Sequence, residues 1–103
     1  MIVRIWRGQA ATGVDADAYF KHVTGTVFPA LRDLAGHKDA WLLRREVDRQ
    51  TEFLAVTFWD SLDSIRAFSG DDIDTAIVEP EAQGVLSNFD DFARHYEIAF
   101  KAS

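Results

Sequence analysis

Between Glu52 and Phe68 the chain reads EFLAVTFWDSLDSIRAF, in which two periodicities follow one another. Up to Trp59 the residues alternate, with Leu54, Val56 and Phe58 on one face and Phe53, Ala55, Thr57 and Trp59 on the other. Both faces of this strand are largely apolar. After Asp60-Ser61, either of which can cap a helix, Leu62, Ile65 and Phe68 recur at helical spacing until Gly70. A chain of 103 residues supplies helices for one face of a small sheet. Something else, a second molecule or a ligand, must cover the opposite face.

The same patterns place the remaining elements. Ile2 to Gln9 reads as a strand with Val3, Ile5 and Arg7 on one face and Ile2, Arg4 and Trp6 on the other. A connection from Ala10 to Val14 leads to a helix capped by Asp15 or Thr12 and stopped by Ala35-Gly36 after Leu34. Its apolar stripe is Phe20, Val23, Val27, Leu31 and Leu34. Pro29 presses on the carbonyl of Gly25, which predicts a bend between Gly25 and Pro29. Lys38 to Val47 and Glu52 to Trp59 form a hairpin through Asp48 to Thr51. Asp71 to Ser87 is less regular. One helical turn is expected around Ile73, Ala76 and Ile77, and a second opened by Pro80 and containing Val85 and Leu86. Phe92 to Phe100 closes the chain as a strand, with His95 on the face of Ala93, Glu97 and Ala99.

The order β-α-β-β-α-β is the ferredoxin-like plan, an α+β fold with a four-stranded antiparallel sheet and both helices on one side, here as one domain over residues 1–103. Trp6 and Trp59 are expected to end two adjacent strands running parallel. The uncovered sheet face predicts a homodimer with two sheets packed face to face.

Composition narrows the partners. Three Trp and eight Phe are a heavy aromatic load and suit a large interface or a flat hydrophobic ligand. With a net charge of −6 and no basic run beyond Arg44-Arg45, the chain is a poor match for nucleic acid or an anionic membrane surface. Without cysteine it forms no disulfide and no thiolate site. No stretch approaches the roughly 20 apolar residues of a membrane span, and MIVRIWRG resembles a first strand rather than a signal peptide. A cytoplasmic protein is the resulting expectation.

Two histidines are the candidate proton-transfer groups, His95 on the last strand and His22 on the first helix. Tyr19, His22 and Thr26 form a polar flank beside the apolar stripe, suited to line a cleft between helix and sheet. Trp6 and Trp59 are candidate aromatic walls, and Arg4 and Arg44 candidate stabilisers of an enolate or phenolate. Each has a structural alternative: His95 bonded to Glu97, His22 on a solvated edge, the tryptophans in the core, and the arginines paired with Glu46 or Glu97. His37 follows the Gly36 stop and is expected at the surface. Asp71, Asp72, Asp74, Glu79 and Glu81 lack the spacing of a calcium loop and have no His beside them in sequence, so no metal site is expected. Tyr19, His22 and Trp59 are expected to approach one cavity, with His95 at or near its wall.

Trp6-Arg7-Gly8, Leu42-Leu43-Arg44-Arg45, Glu52-Phe53-Leu54, Trp59-Asp60-Ser61, Ile65-Arg66-Ala67-Phe68 and His95-Tyr96-Glu97 together resemble the antibiotic biosynthesis monooxygenase superfamily, in particular its small stand-alone bacterial members. The resemblance implies a dimeric α+β barrel with ligands held between sheet and helices. It also implies cofactor-independent monooxygenation, or a related proton transfer, on a small aromatic or enolisable molecule. Other members degrade haem. The polyketide-type oxygenases use a strand Asn with a Trp, and the haem degraders pair such an Asn with a His in the second helical region. The only Asn here is Asn88, before the last strand, and residues 61–87 contain no His. A non-catalytic dimeric ligand-binding or accessory domain is the alternative expectation, followed by haem binding.

Overall fold

A computed structural model describes residues 1–103, as β1 (Ile2–Ala11), α1 (Val14–His22), a π-helical turn (Val23–Val27), α2 (Phe28–Leu31), β2 (His37–Val47), β3 (Gln50–Trp59), α3 (Leu62–Ser69), α4 (Pro80–Gln83), β4 (Asn88–Phe89) and β5 (Arg94–Glu97). The strands form one antiparallel sheet in the order β2-β3-β1, with β4 and β5 both on the far edge of β1. This is the ferredoxin-like arrangement, with the fourth strand in two pieces. No helix is long and apolar enough to cross a membrane.

β1 and β3 run antiparallel, not parallel as the sequence suggested. The helical crossover returns β2 in the direction of β1, and the hairpin then reverses β3 between them. Trp59 therefore lies opposite Ile2 while Trp6 lies opposite Ala55, so the two indoles do not share a strand end. The hairpin is tighter than expected, because Asp48 and Arg49 both take positive φ, 51° and 63°, and close a two-residue turn that starts β3 at Gln50. Two left-handed residues match the right-handed twist of the flanking strands.

The last strand does not run unbroken from Phe92. Residues 74–76 compete for that backbone: Ala76 N–H donates to Asp91 O, Ala93 N–H donates to Asp74 O, and Thr75 bridges Phe92. Asp90 still donates its N–H to Arg7 O, residues 91–93 are drawn off the β1 edge, and pairing with β1 resumes at Arg94.

The helical face of the sheet carries Arg4, Trp6, Gly8 and Ala10 from β1 and Phe53, Ala55, Thr57 and Trp59 from β3, by the register that pairs them. Ala16, Tyr19 and Val23 pack on its upper half, and Leu31 and Ile65 pack around Trp59 on the lower half. The first helix is turned about one position from the expected stripe, leaving Phe20 41 % exposed while Tyr19 is 3 % exposed. Tyr19 lies 4.8 Å from the ring of Phe53, and Phe20 lies outside beneath the Arg44 guanidinium. Ala16, three residues before Tyr19, is small enough to bring this face close to the sheet.

The expected bend at Gly25–Pro29 takes the form of the π turn, where Phe28 N–H donates to Val23 O, five residues back. A widened turn absorbs the hydrogen bond that Pro29 cannot make. In α3, Ser61 Oγ accepts from Ser64 N–H, Ile65 is fully buried and Leu62 faces outward. α4 stops at Gln83, so Val85 and Leu86 follow it and pack on the core from a turn.

The opposite sheet face has no helix. Trp41 and Leu43 of β2 and Tyr96 of β5 are each about half exposed there, beside Val3, Ile5, Leu54, Val56 and Phe58. At one end Arg7 and Arg45 both bind Glu52 at 2.9 Å, which holds that carboxyl below its usual range.

Candidate functional site

Between the sheet, the π turn and residues 77–82 lies a mostly apolar cavity of about 70 Å³. A single water needs roughly 10–15 Å³ on this measure, so the space suits a few waters or a small organic molecule. Trp6, Ala55 and Thr57 line it from the sheet, Tyr19, His22 and Val23 from the helix, and Val78, Glu79 and Ala82 from the flank.

Beside Thr57 and Glu79, three polar side chains at this wall bear on its chemistry. Tyr19 makes no hydrogen bond to the protein, and burial raises its pKa strongly, so the hydroxyl stays protonated as a donor. His22 Nε2 is enclosed and lacks a hydrogen-bond partner, with its nearest carboxylate oxygen, Glu79 Oε2, at 3.8 Å. Enclosing such an atom unpaired costs free energy, and positions of this kind are often functional.

The third group is Arg4, 4 % exposed, with its guanidinium over the Phe68 ring at 5.6 Å. Nη1 donates to Ile73 O and to His95 Nε2 at 2.9 Å, and Nη2 donates to Thr75 O at 3.2 Å. Arg4 thereby ties residues 73–75 across the sheet edge. Burial lowers its pKa, opposed by Asp74, from a starting value so high that it stays cationic. Because Arg4 can only donate, His95 Nε2 accepts, and its proton sits on Nδ1, 3.2 Å from Asp74 Oδ1. Burial and the Arg4 charge lower the His95 pKa against the pull of Asp74.

The candidates named from sequence separate into groups. Trp6, Tyr19, His22 and Arg4 line the cavity. Trp59 does not: it is fully buried in the lower core between His37 and Phe68, and its Nε1 donates to Thr57 Oγ1 at 2.9 Å. The antiparallel β1–β3 register puts it there. His95 stands behind Arg4 and opens onto an outer groove with Asp72, Asp74 and Tyr96. Arg44 is outside on Phe20, because the rotated helix carries that ring to the edge. Neither arginine uses Glu46 or Glu97. His37 opens β2 and packs edge-on to Trp59 at 5.0 Å, where burial lowers its pKa against the opposing pull of Asp39.

Two features escaped the sequence. Thr57 is a polar residue on an otherwise apolar strand face, and that was the one available signal for a cavity wall. The acidic segment also acquires a histidine: ligand atoms of His22, Glu79 and Glu81 all lie within 4.8 Å of one another. No local spacing encodes this, because α1 and α4 meet only in the folded chain.

Among solved structures, similar folds include a Bacillus cereus protein assigned to the antibiotic biosynthesis monooxygenases, with a TM-score of 0.65, 12% identity, and coverage of 100% of this chain and 95% of that one. A Deinococcus radiodurans protein with the same assignment gives 0.61 at 13% identity, covering 100% and 97%. The haem degrader MhuD of Mycobacterium tuberculosis, solved with two haems in its active site, gives 0.66 at 16% identity over the whole of both chains. No family model matches the chain. A search of curated proteins finds no match. The chain thus has the α+β fold of the antibiotic biosynthesis monooxygenase type. At these identities the shared property is the fold.

Proposed function

We propose that this chain is a cofactor-independent monooxygenase, or a proton-transfer enzyme of that kind, acting on a small enolisable or phenolic molecule in the cavity. The observation that carries the reading is His22 on the cavity wall, its Nε2 enclosed and without a hydrogen-bond partner, beside a protonated Tyr19. His22 takes a proton from the substrate carbon, and the Glu79 carboxylate, 3.8 Å away, stabilises the imidazolium. Tyr19 donates to the enolate oxygen. Arg4, already held by two carbonyls and His95, adds a fixed positive charge that need not reorganise.

The electron-rich carbanion is then the reductant. It passes one electron to dioxygen, and the radical pair joins in a C–O bond to give a peroxide. The peroxide takes back the proton from His22 and loses water, leaving a carbonyl. A methylene group and O2 become a carbonyl and water, with no electron from outside the substrate.

The working unit under this reading is a homodimer, in which a second copy covers Trp41, Leu43 and Tyr96 and the apolar face between them. The support is an uncovered sheet face with an apolar centre and the Arg7–Glu52–Arg45 cluster at its rim. Such an isologous contact can bury roughly 2,000 Å².

The test is oxygen uptake with β-diketones, phenols and hydroquinones, without added metal or cofactor. A substrate should be consumed, and His22→Ala should lower kcat about 100-fold or more while binding persists. Tight binding with no turnover and no exchange of the acidic C–H in D2O would make the chain a ligand-binding module. A stoichiometric Soret band on adding haemin would favour haem, for which the cavity of about 70 Å³ must first open.

A further inference from the structure

We infer that His22, Glu79 and Glu81 form a binding site for a single first-row divalent cation such as Zn2+, Co2+ or Mn2+ at the edge of the cavity. The three ligand atoms come from two separate elements, α1 and the start of α4, and lie within 4.8 Å of one another. Contraction by an ångström or so would bring them to the spacing of ligands around an ion with bonds of about 2.0–2.2 Å.

Two independent observations favour a cation here. The first is the imidazole: the His22 side chain is 12 % exposed, its Nε2 is fully enclosed, and no protein group satisfies it. A metal ion would use that lone pair. The second is charge. Glu79 and Glu81 flank Pro80 on the same short turn, and neither pairs with an Arg or Lys in any salt bridge of the molecule. Two close carboxylates without a cation repel one another, and a divalent ion neutralises both.

The donor set selects the metal. One imidazole nitrogen and two carboxylates favour transition metals over Mg2+ and Ca2+, which prefer all-oxygen sites. Glu81 is exposed, so the ion would keep open positions towards solvent. A bound ion also takes the atom that the proton-transfer reading uses as its base. Occupancy and proton abstraction at Nε2 exclude one another, so the metal would inhibit that chemistry. This consequence rests on the proposed function, whereas the site does not.

Isothermal titration of the purified full chain with Zn2+, and absorption spectroscopy with Co2+, test the site directly. One ion per chain is expected, with at least tenfold weaker binding in both His22→Ala and Glu81→Gln, and no comparable binding of Mg2+. Glu81→Gln changes an exposed side chain, so a loss of binding in that variant does not reflect unfolding. His95→Ala, which removes the rival His95–Asp74 pair, should bind as the parent does. Absence of Zn2+ binding, binding unchanged in both first variants, or binding lost only in His95→Ala would each overturn the proposal. The readout needs no substrate, so failure to find an oxygenase activity leaves it intact.

Discussion

Replacing Arg4 by Met should loosen the segment that closes the cavity and lower stability by about 3 kcal/mol. Arg4 is 4 % exposed and its guanidinium satisfies the carbonyls of Ile73 and Thr75 together with His95 Nε2. Met keeps much of the apolar stem against Phe68 but donates nothing. His95 can change tautomer or turn to water in its groove, so two carbonyls carry most of the loss. Each buried group left unpaired costs roughly 1–3 kcal/mol, and the partial exposure of this segment lets water recover part of that. For a domain of this size about 3 kcal/mol corresponds to a fall in Tm of about 12 °C or more. Thermal unfolding at fixed protein concentration measures the drop. Hydrogen exchange should show faster exchange at Ala76 and Ala93, whose amides bond Asp91 and Asp74, than at the β1–β3 ladder. A Tm within about 3 °C of the parent, with protection of those two amides unchanged, would refute the idea that Arg4 holds this segment in place.

Three further outcomes follow from the geometry. Leu43→Glu places a charge on a position already half exposed in a single chain, so it should leave the fold intact and convert a sedimenting dimer to monomer; a parent protein that sediments as monomer at low micromolar concentration sinks the dimer. The folded pKa of His95 lies below 6.5, so the unfolded chain binds a proton that the folded one excludes, and stability is full above about pH 6.5 and falls as the pH drops through the folded value. His95→Gln should flatten the part of that limb just below pH 6.5, leaving there the slope due to His37, which shifts the same way, and further down the one due to Glu52; parallel Tm–pH curves for parent and variant would contradict it. Gly8→Ala puts a Cβ 2.8 Å from the Trp6 ring and 3.3 Å from Leu86, so it should cost about 1–3 kcal/mol by overpacking and weaken any cavity ligand; unchanged denaturant midpoints would refute the close fit.

Alternation and caps carried the architecture. The order of elements, the two apolar faces of β3, the Ser61 cap and the strain at Pro29 are properties of neighbouring residues, and each is visible in a chain met alone. What local pattern leaves open is which of two acceptable faces turns inward. Phe20 and Tyr19 are both large aromatics one position apart, and only the fit against Phe53 chose Tyr19 for the core. The break before β5 came from competition by residues 74–76 for the same backbone groups, a contest between distant segments that alternation within Phe92–Phe100 cannot register. The candidate site is of the same kind. His22 and Tyr19 drew notice as a polar flank, but Glu79 and Glu81 looked like a solvated acidic run until the crossing of α1 and α4 put a histidine beside them. Periodicity specifies how a side chain points from its own axis; which side chain it meets depends on chain reversal and strand register, and those are settled only when the whole sheet assembles.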